Sequence, residues 1–584
     1  MLLALTSLGA WWEKDEEILL LGPWCAPYDK REKLESLRWR MLPSPWEDRD
    51  RLSAASEYVG EVYRRLLPKL SAQLDQVLGV QEPLAHWRVL IGPWLLHFVH
   101  SLYDRYVHLL DALSFVPHLR ASVLAESCFR TPRTTREALT WLPHDDHYNW
   151  QLFSELLALM PQSSGVPVTH DPNIRIPLTS RRGPSRLRRW TGRAHAGVLG
   201  TLGRRRRAWL TGITASRSSL LGLAVRSRLQ IIPASMVDIV GADAREATES
   251  DRRRQRLGEL TADDDFEAIC IRLLARHLPA VYLESYHDAR RTVRRWYPRT
   301  PSLLVTETEW FMNETYKYVI ADAMARGSRL VTVQHGGYYG YTRPMPFEDL
   351  EREIGQVFLV WGWADRQPSL GNLPHPIVSQ RPKPLRPGGR ILFAVHEAER
   401  YLYRLGATGA GSLWEPQWQW QVRFMNGLPA ALRQRVAVRP PPQDIGQCVN
   451  QRLRDQFPEI SVDRSSGFKQ SATRSRLIVL ERPGTCLLES LAMNHPTVVF
   501  WEPTLWNLRD AATPYFEALR NAGILWESPE AAAAHVAAVY HDPSTWWDTE
   551  SVQAARGAFV ERFALARRDW PSRWIEAICE QLSA

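Results

Sequence analysis

The sequence predicts an α/β protein: two domains in tandem, each built on a doubly wound parallel sheet, facing each other across a cleft, with helical elaborations on the first. Three observations lead there. Strand-like apolar runs alternate with helix-like patterns from Phe266 onward, a Pro/Gly-rich stretch from Gln367 to Gly389 divides that series, and two of its strands empty into glycine-bearing turns. A chain of 584 residues is long enough for two large lobes and needs no metal or disulfide staple. Its longest apolar stretch, Val89 to Val99, contains Pro93 and His97 and falls short of the roughly 20 residues of a spanning helix, which argues against an integral membrane protein.

Taken in order, Met1 to Ala10 reads as a first buried strand and its loop. No basic residues precede its apolar run, and Trp11, Trp12 and acidic residues stand where a signal cleavage site would be. Up to about Asn149, apolar runs such as Ile18 to Gly22 and Val89 to Trp94 mix with the helical pattern of Leu52 to Leu78. An arginine-rich insertion follows at about 179–228, including Arg181, Arg182, Arg186 and Arg204 to Arg207. It is a solvated linker or surface helix, a patch for anionic lipid, or a patch for nucleic acid. A helix-like run then reaches His277, with a strand at Ser302 to Thr306, a helix from Asn313 to Arg326 and strands at Leu330 to Val333 and Val357 to Trp361. The expected division is a first domain at 1–366, a linker at 367–389 and a second domain at 390–584. In the second, strands are expected at Arg390 to Val395, Arg435 to Val438, Glu459 to Val462, Leu477 to Leu480 and Pro496 to Trp501, with a helix near Gln417 to Leu432 and another from Thr485.

The six cysteines lie far apart and form no metal or redox spacing, which fits free thiols in a reducing cytoplasm. The 25 tryptophans would serve either as sugar-stacking faces or as large core residues.

Chemistry concentrates at two strand ends. After Leu477 to Leu480, the turn of Arg482, Pro483 and Gly484 and the helix from Thr485 gather backbone N–H groups and a positive helix end, a natural phosphate site. Glu489, one turn on, is placed to accept from ribose hydroxyls or is a solvated side chain beyond a cap. After Leu330 to Val333, Gln334, His335, Gly336 and Gly337 form a glycine loop in which the imidazole is a base or a strut. Asp145, Asp146 and His147 are a polar cluster for metal or acceptor, or merely a loop, and Gly22, Trp24 and Cys25 are candidates for the same cleft.

These motifs carry a resemblance. Leu21, Gly22, Pro23, Trp24 and Cys25; Ile91 to Trp94; Tyr103 to Tyr106; Gln334 to Gly337 with Tyr339 and Gly340; Trp361, Gly362 and Trp363; and Pro496 to Trp501 leading to Leu508, Arg509 and Asp510 and to Pro514, Tyr515 and Phe516 together resemble the transferases of bacterial surface-carbohydrate gene clusters, a family related in its second half to GT-B glycosyltransferases. The resemblance spans most of the chain. It implies two Rossmann-like domains with a nucleotide-activated sugar between them, and a glycan or lipid-linked acceptor. On it, Gly484, Thr485 and Glu489 hold the donor nucleotide and His335 is the base. Arg482 stands where related chains tend to have a polar or acidic residue, and with Arg439 and His495 it is expected on the donor side, while Gly22, Trp24, Gln334, Gly336, Gly337 and Asp146 are expected on the acceptor side. His495 with Pro496 resembles an element of enzymes that use CMP-activated sugars. No cofactor or metal is expected, and no nucleic acid; peripheral contact with an anionic membrane at its cytoplasmic face is. The alternatives are a CDP-polyol phosphotransferase of similar architecture, and a non-enzymatic basic nucleic-acid-binding or scaffold protein.

Overall fold

The computed structural model describes residues 1–13, 16–164, 166–171, 207–247, 252–365, 367–379, 389–406 and 413–583. Most of the arginine-rich insertion lies outside them.

Three parallel sheets are present among the described residues. The first holds β1 (Leu2–Ala4), β2 (Ile18–Leu20), β3 (Trp39–Met41), β4 (Arg120–Leu124) and β5 (Val168–Asp171) in the order β3-β2-β1-β4-β5. The second holds β6 (Ala208–Thr211), β7 (Ile231–Pro233), β8 (Leu303–Thr306), β9 (Arg329–Val333), β10 (Val357–Val360) and β11 (Leu370–Asn372), ordered β11-β10-β9-β8-β6-β7. The third holds β12 (Arg390–Ala394), β13 (Val436–Arg439), β14 (Ser461–Val462), β15 (Ser475–Leu480), β16 (Thr497–Phe500) and β17 (Leu525–Trp526), ordered β14-β13-β12-β15-β16-β17. Read from its own first strand, the third sheet runs 3-2-1-4-5-6, the dinucleotide-fold order, and places a topological switch between β12 and β15. The second and third sheets form two Rossmann-like domains facing each other across a cleft, a GT-B-like arrangement.

The N-terminal half thus carries one sheet more than the strand-like runs suggest. Val89 to Trp94 is no strand: it lies within α2 (Leu84–Phe115), which follows α1 (Arg49–Leu78). Asp48 caps α1 by accepting from the N–H groups of Asp50 and Arg51, and Gly79 ends it in the left-handed conformation. α2 is buried on nearly every side, so its apolar residues lose the helical period and read as a continuous run. The end of the basic insertion, from Ala208, is the inner strand β6 and the helix Arg217–Arg226. Part of the expected linker is the edge strand β11.

Five further helices position the site: α3 (Asp146–Leu159), α4 (Glu314–Ala325), α5 (Pro346–Ile354), α6 (Thr485–Ala492) and α7 (Trp570–Ser583). The chain crosses back at its end, where Trp570, Trp574 and Ile578 of α7 pack on the second sheet and Trp574 Nε1 donates to Pro374 O at 2.8 Å. Eleven tryptophans are among the most completely buried side chains, so packing accounts for much of their abundance.

Candidate active site

β9 ends at Val333, and the next four residues turn away from the sheet. Gln334 is fully buried; its Nε2 donates to Gly336 O (2.7 Å), and its Oε1 accepts from Trp361 N (3.0 Å) and Trp363 Nε1 (2.8 Å). It shapes the loop from inside and does not wall the cavity beside His335. His335 follows, with Nδ1 at 3.2 Å from Glu351 Oε1 and 3.1 Å from Tyr339 Oη. Glu351 is fully buried on α5, and as a carboxylate it favours the proton on Nδ1, the tautomer that leaves Nε2 to accept. Burial pulls the imidazole pKa down, but the charge and hydrogen bond of Glu351 outweigh it, so the net shift is upward. The side chain keeps 30% of its surface exposed and opens on a cavity of about 220 Å³ that Phe347, Arg404 and Thr485 help to wall.

The second strand end meets the first. Gly337 N donates to Thr485 Oγ1 at 2.9 Å, and a Cβ on Gly337 would sit 2.6 Å from Gly484 C and Thr485 N. Only glycine permits that approach, so the base loop and the helix N-terminus, read separately from the sequence, form one site. Thr485 lines the cavity at the start of α6, whose helix end favours an anion there. Arg482 makes no ion pair among the described residues; its guanidinium lies 5.9 Å from the centre of the Tyr338 ring, which itself stacks on Trp506 at 5.5 Å.

Glu489 is 8% exposed, and burial, opposed by Lys469 and Arg439, pushes its pKa up to about 7. Arg439 is held by the loop beside it: Nη1 donates to Ser465 O and Ser471 Oγ, both at 2.9 Å. It shapes the β13 end rather than reaching for a phosphate.

Four further sequence candidates are structural. His495 is buried and its ring nitrogens lie 3.1 Å from the carbonyls of Pro496, Ala472 and Ser475, so it braces the sheet instead of binding a donor. Trp24 is 2% exposed and donates Nε1 to Leu5 O at 3.0 Å; its ring covers Gly22, so neither lines the cleft. Asp146 accepts from Ser7 Oγ (2.9 Å), from Arg400 Nη1 (2.9 Å) and Nη2 (2.8 Å), and from the Tyr401 hydroxyl. Its carboxylate is saturated by a latch to the loop after β12. Among the described residues no group of three or more His, Cys, Asp or Glu is placed to hold a metal ion, and no helix is long and apolar enough to cross a membrane.

Two site residues escaped the sequence reading. Glu351 is a charged position on an amphipathic helix, and nothing local marks it as facing inward. Arg404 belongs to the loop after β12, where it donates to Tyr403 Oη at 2.6 Å and lies 5.3 Å from the Phe347 ring centre. Its position after the first strand of the third sheet, at the switch point, was the available signal.

The chain belongs to the LIC12162 family of transferases, whose sequence profile matches residues 1–578. No curated protein matches it. Among solved structures, MurG of Acinetobacter baumannii is 11% identical, with a TM-score of 0.32 over 65% of this chain and 100% of that one. SnogD, a glycosyltransferase from Streptomyces nogalater, is 12% identical, with a TM-score of 0.33 over 65% and 100%. The wall teichoic acid polymerase TagF is 8% identical, with a TM-score of 0.32 over 68% and 94%. Scores this low add nothing to the fold, which rests on the strand orders themselves.

Proposed function

We propose that this transferase is a glycosyltransferase that moves a sugar from a nucleotide-activated donor to a hydroxyl of a bacterial surface glycan or its lipid-linked precursor, at the cytoplasmic face of the membrane. The observation that carries the reading is the His335–Glu351 pair opening on a cavity that Arg404 and the N-terminus of α6 also wall. His335 Nε2 takes the acceptor hydroxyl proton as the oxygen bonds to the anomeric carbon. The bond from that carbon to the donor phosphate breaks, and its electron pair leaves with the nucleotide. Arg404, Arg482 and the helix end stabilise the charge that develops on the phosphate, with no resident metal required. Glu489 accepts from the ribose hydroxyls.

The test is a thermal-shift screen against CMP, CDP, UDP, GDP and dTDP with the wild-type protein and Glu489→Ala, because a ligand of the folded state raises Tm. One nucleotide is expected to raise Tm in the wild type only. No shift with any of them sinks the reading.

A further inference from the structure

A second cavity, of about 580 Å³, opens between α1, the segment 343–353 and the segment 507–509. Met345 and Pro346 wall both this groove and the His335 cavity, so a chain lying in one reaches the other with its end. We propose that the groove receives the sugar chain of the acceptor, a hydroxyl-rich glycan without net charge; this rests on the glycosyltransferase reading above.

The walls carry the argument. Five carboxylates (Glu57, Glu61, Glu348, Asp349 and Glu353) face four guanidiniums, a near balance that gives no pull on a polyanion or polycation. Interleaved acceptors and donors are what vicinal hydroxyls require. Tyr63 is the one aromatic residue among those lining the groove, so recognition runs through hydrogen bonds more than ring stacking. Two lining atoms also lack a hydrogen bond: Tyr63 is 3% exposed and Glu348 0%, yet Tyr63 Oη has no hydrogen-bond partner in the protein and Glu348 Oε1 has only the Arg352 guanidinium, at 3.7 Å. Buried polar atoms left that way are the exception in folded proteins. The other oxygen, Glu348 Oε2, accepts from Gly340 N (3.0 Å) and Arg509 Nη2 (2.8 Å), which ties the groove wall to the loop that carries His335.

Gly60 offers a clean test. It lines the groove from α1, and a Cβ there would meet only Arg64 Nη1, at 4.0 Å. A Cβ at Gly60 therefore has room, so Gly60→Trp adds an indole at the groove wall, and Gly222→Trp, on the surface helix Arg217–Arg226 with nothing within 4 Å of its Cβ, is the matched control. Glu57→Lys, at an exposed position, is a second variant should the first fail to fold. Saturation-transfer NMR of the full chain would use cellopentaose, chitopentaose and mannopentaose as neutral probes and pentagalacturonate as the charged one. The nucleotide thermal shift is read on the same samples. At least one neutral probe is expected to bind, to weaken at least tenfold in Gly60→Trp or Glu57→Lys, and to be unchanged in Gly222→Trp, while the nucleotide shift persists in every variant. Absence of binding by all neutral probes, binding that survives the groove variants, or preference for pentagalacturonate overturns the proposal. Absence of any nucleotide shift in the wild type, with glycan binding intact, would instead defeat the glycosyltransferase reading.

Discussion

Gly337, in the loop that follows β9, and Thr485, the first residue of α6, are joined by a 2.9 Å hydrogen bond across the cleft, at a point where a single added methyl has no room. The loop that presents the base and the helix that faces the phosphate are therefore held in register by backbone contact. Gly337→Ala is expected to force the two apart, with a loss of about 1–3 kcal/mol in stability from overpacking. Turnover should fall at least about 100-fold, since small misplacements of reacting groups are that costly. Denaturant melts and steady-state rates on the same variant check this; a rate within twofold of wild type would show the contact to be incidental.

His335 and Glu351 make a prediction in pH. Glu351 raises the imidazole pKa above its ordinary 6.5, so the neutral base accumulates only as pH climbs through that raised value. The acidic limb of the kcat/KM profile should lie above 6.5 and move to lower pH in Glu351→Gln, with a reduced plateau. His335→Ala should lower turnover by about 10²–10⁴-fold across the range. An unmoved limb in Glu351→Gln would assign the titration to another group.

Glu489 links stability to function with opposite signs. Its folded pKa of about 7 lies above the ordinary value of 4.5, so the carboxyl's contribution is fully present below pH 4.5 and is lost as pH rises through 7. Above pH 7 the protein carries a buried carboxylate at a cost of up to about 3 kcal/mol. Glu489→Gln should raise Tm at pH 8, change it little at pH 4.5, and abolish nucleotide binding. Calorimetry at the two pH values decides it.

Asp146 and Arg400 predict a structural phenotype where the sequence suggested a ligand. Their side chains are 15% and 13% exposed, and removing the acid strands a buried guanidinium. Asp146→Ala should destabilise by about 3 kcal/mol. An acceptor-binding residue would instead raise KM and leave the melting curve in place.

Product analysis separates glycosyl transfer from the polyol-phosphate transfer that the sequence reading leaves as an alternative. Glycosyl transfer adds no phosphorus to the acceptor, whereas polyol-phosphate transfer does, and ³¹P NMR of the product distinguishes them. Turnover is expected to continue in excess EDTA, and its loss would assign a role to a divalent ion.

Local pattern was sufficient for much of the fold. Strand runs such as Leu330 to Val333 and Leu477 to Leu480 and the helix from Thr485 appear where hydrophobic period and turn residues put them, because those signals span only a few neighbouring residues. Such signals also marked His335, Gly337 and Thr485, each beside a glycine at a strand end. They failed where burial was decided at a distance. α2 is buried on nearly all sides because other elements enclose it, and Trp24 and His495 are polar-capable residues whose partners lie in other elements or come from backbone carbonyls. Asp146 met Arg400 across 254 positions, Glu351 met His335 across 16, and Gly337 met Thr485 across 148. The chemistry each residue is capable of was legible from its type and its neighbours; which of them converge on one cavity was decided by the packing of three sheets, since spacing along the chain carries no distance through space.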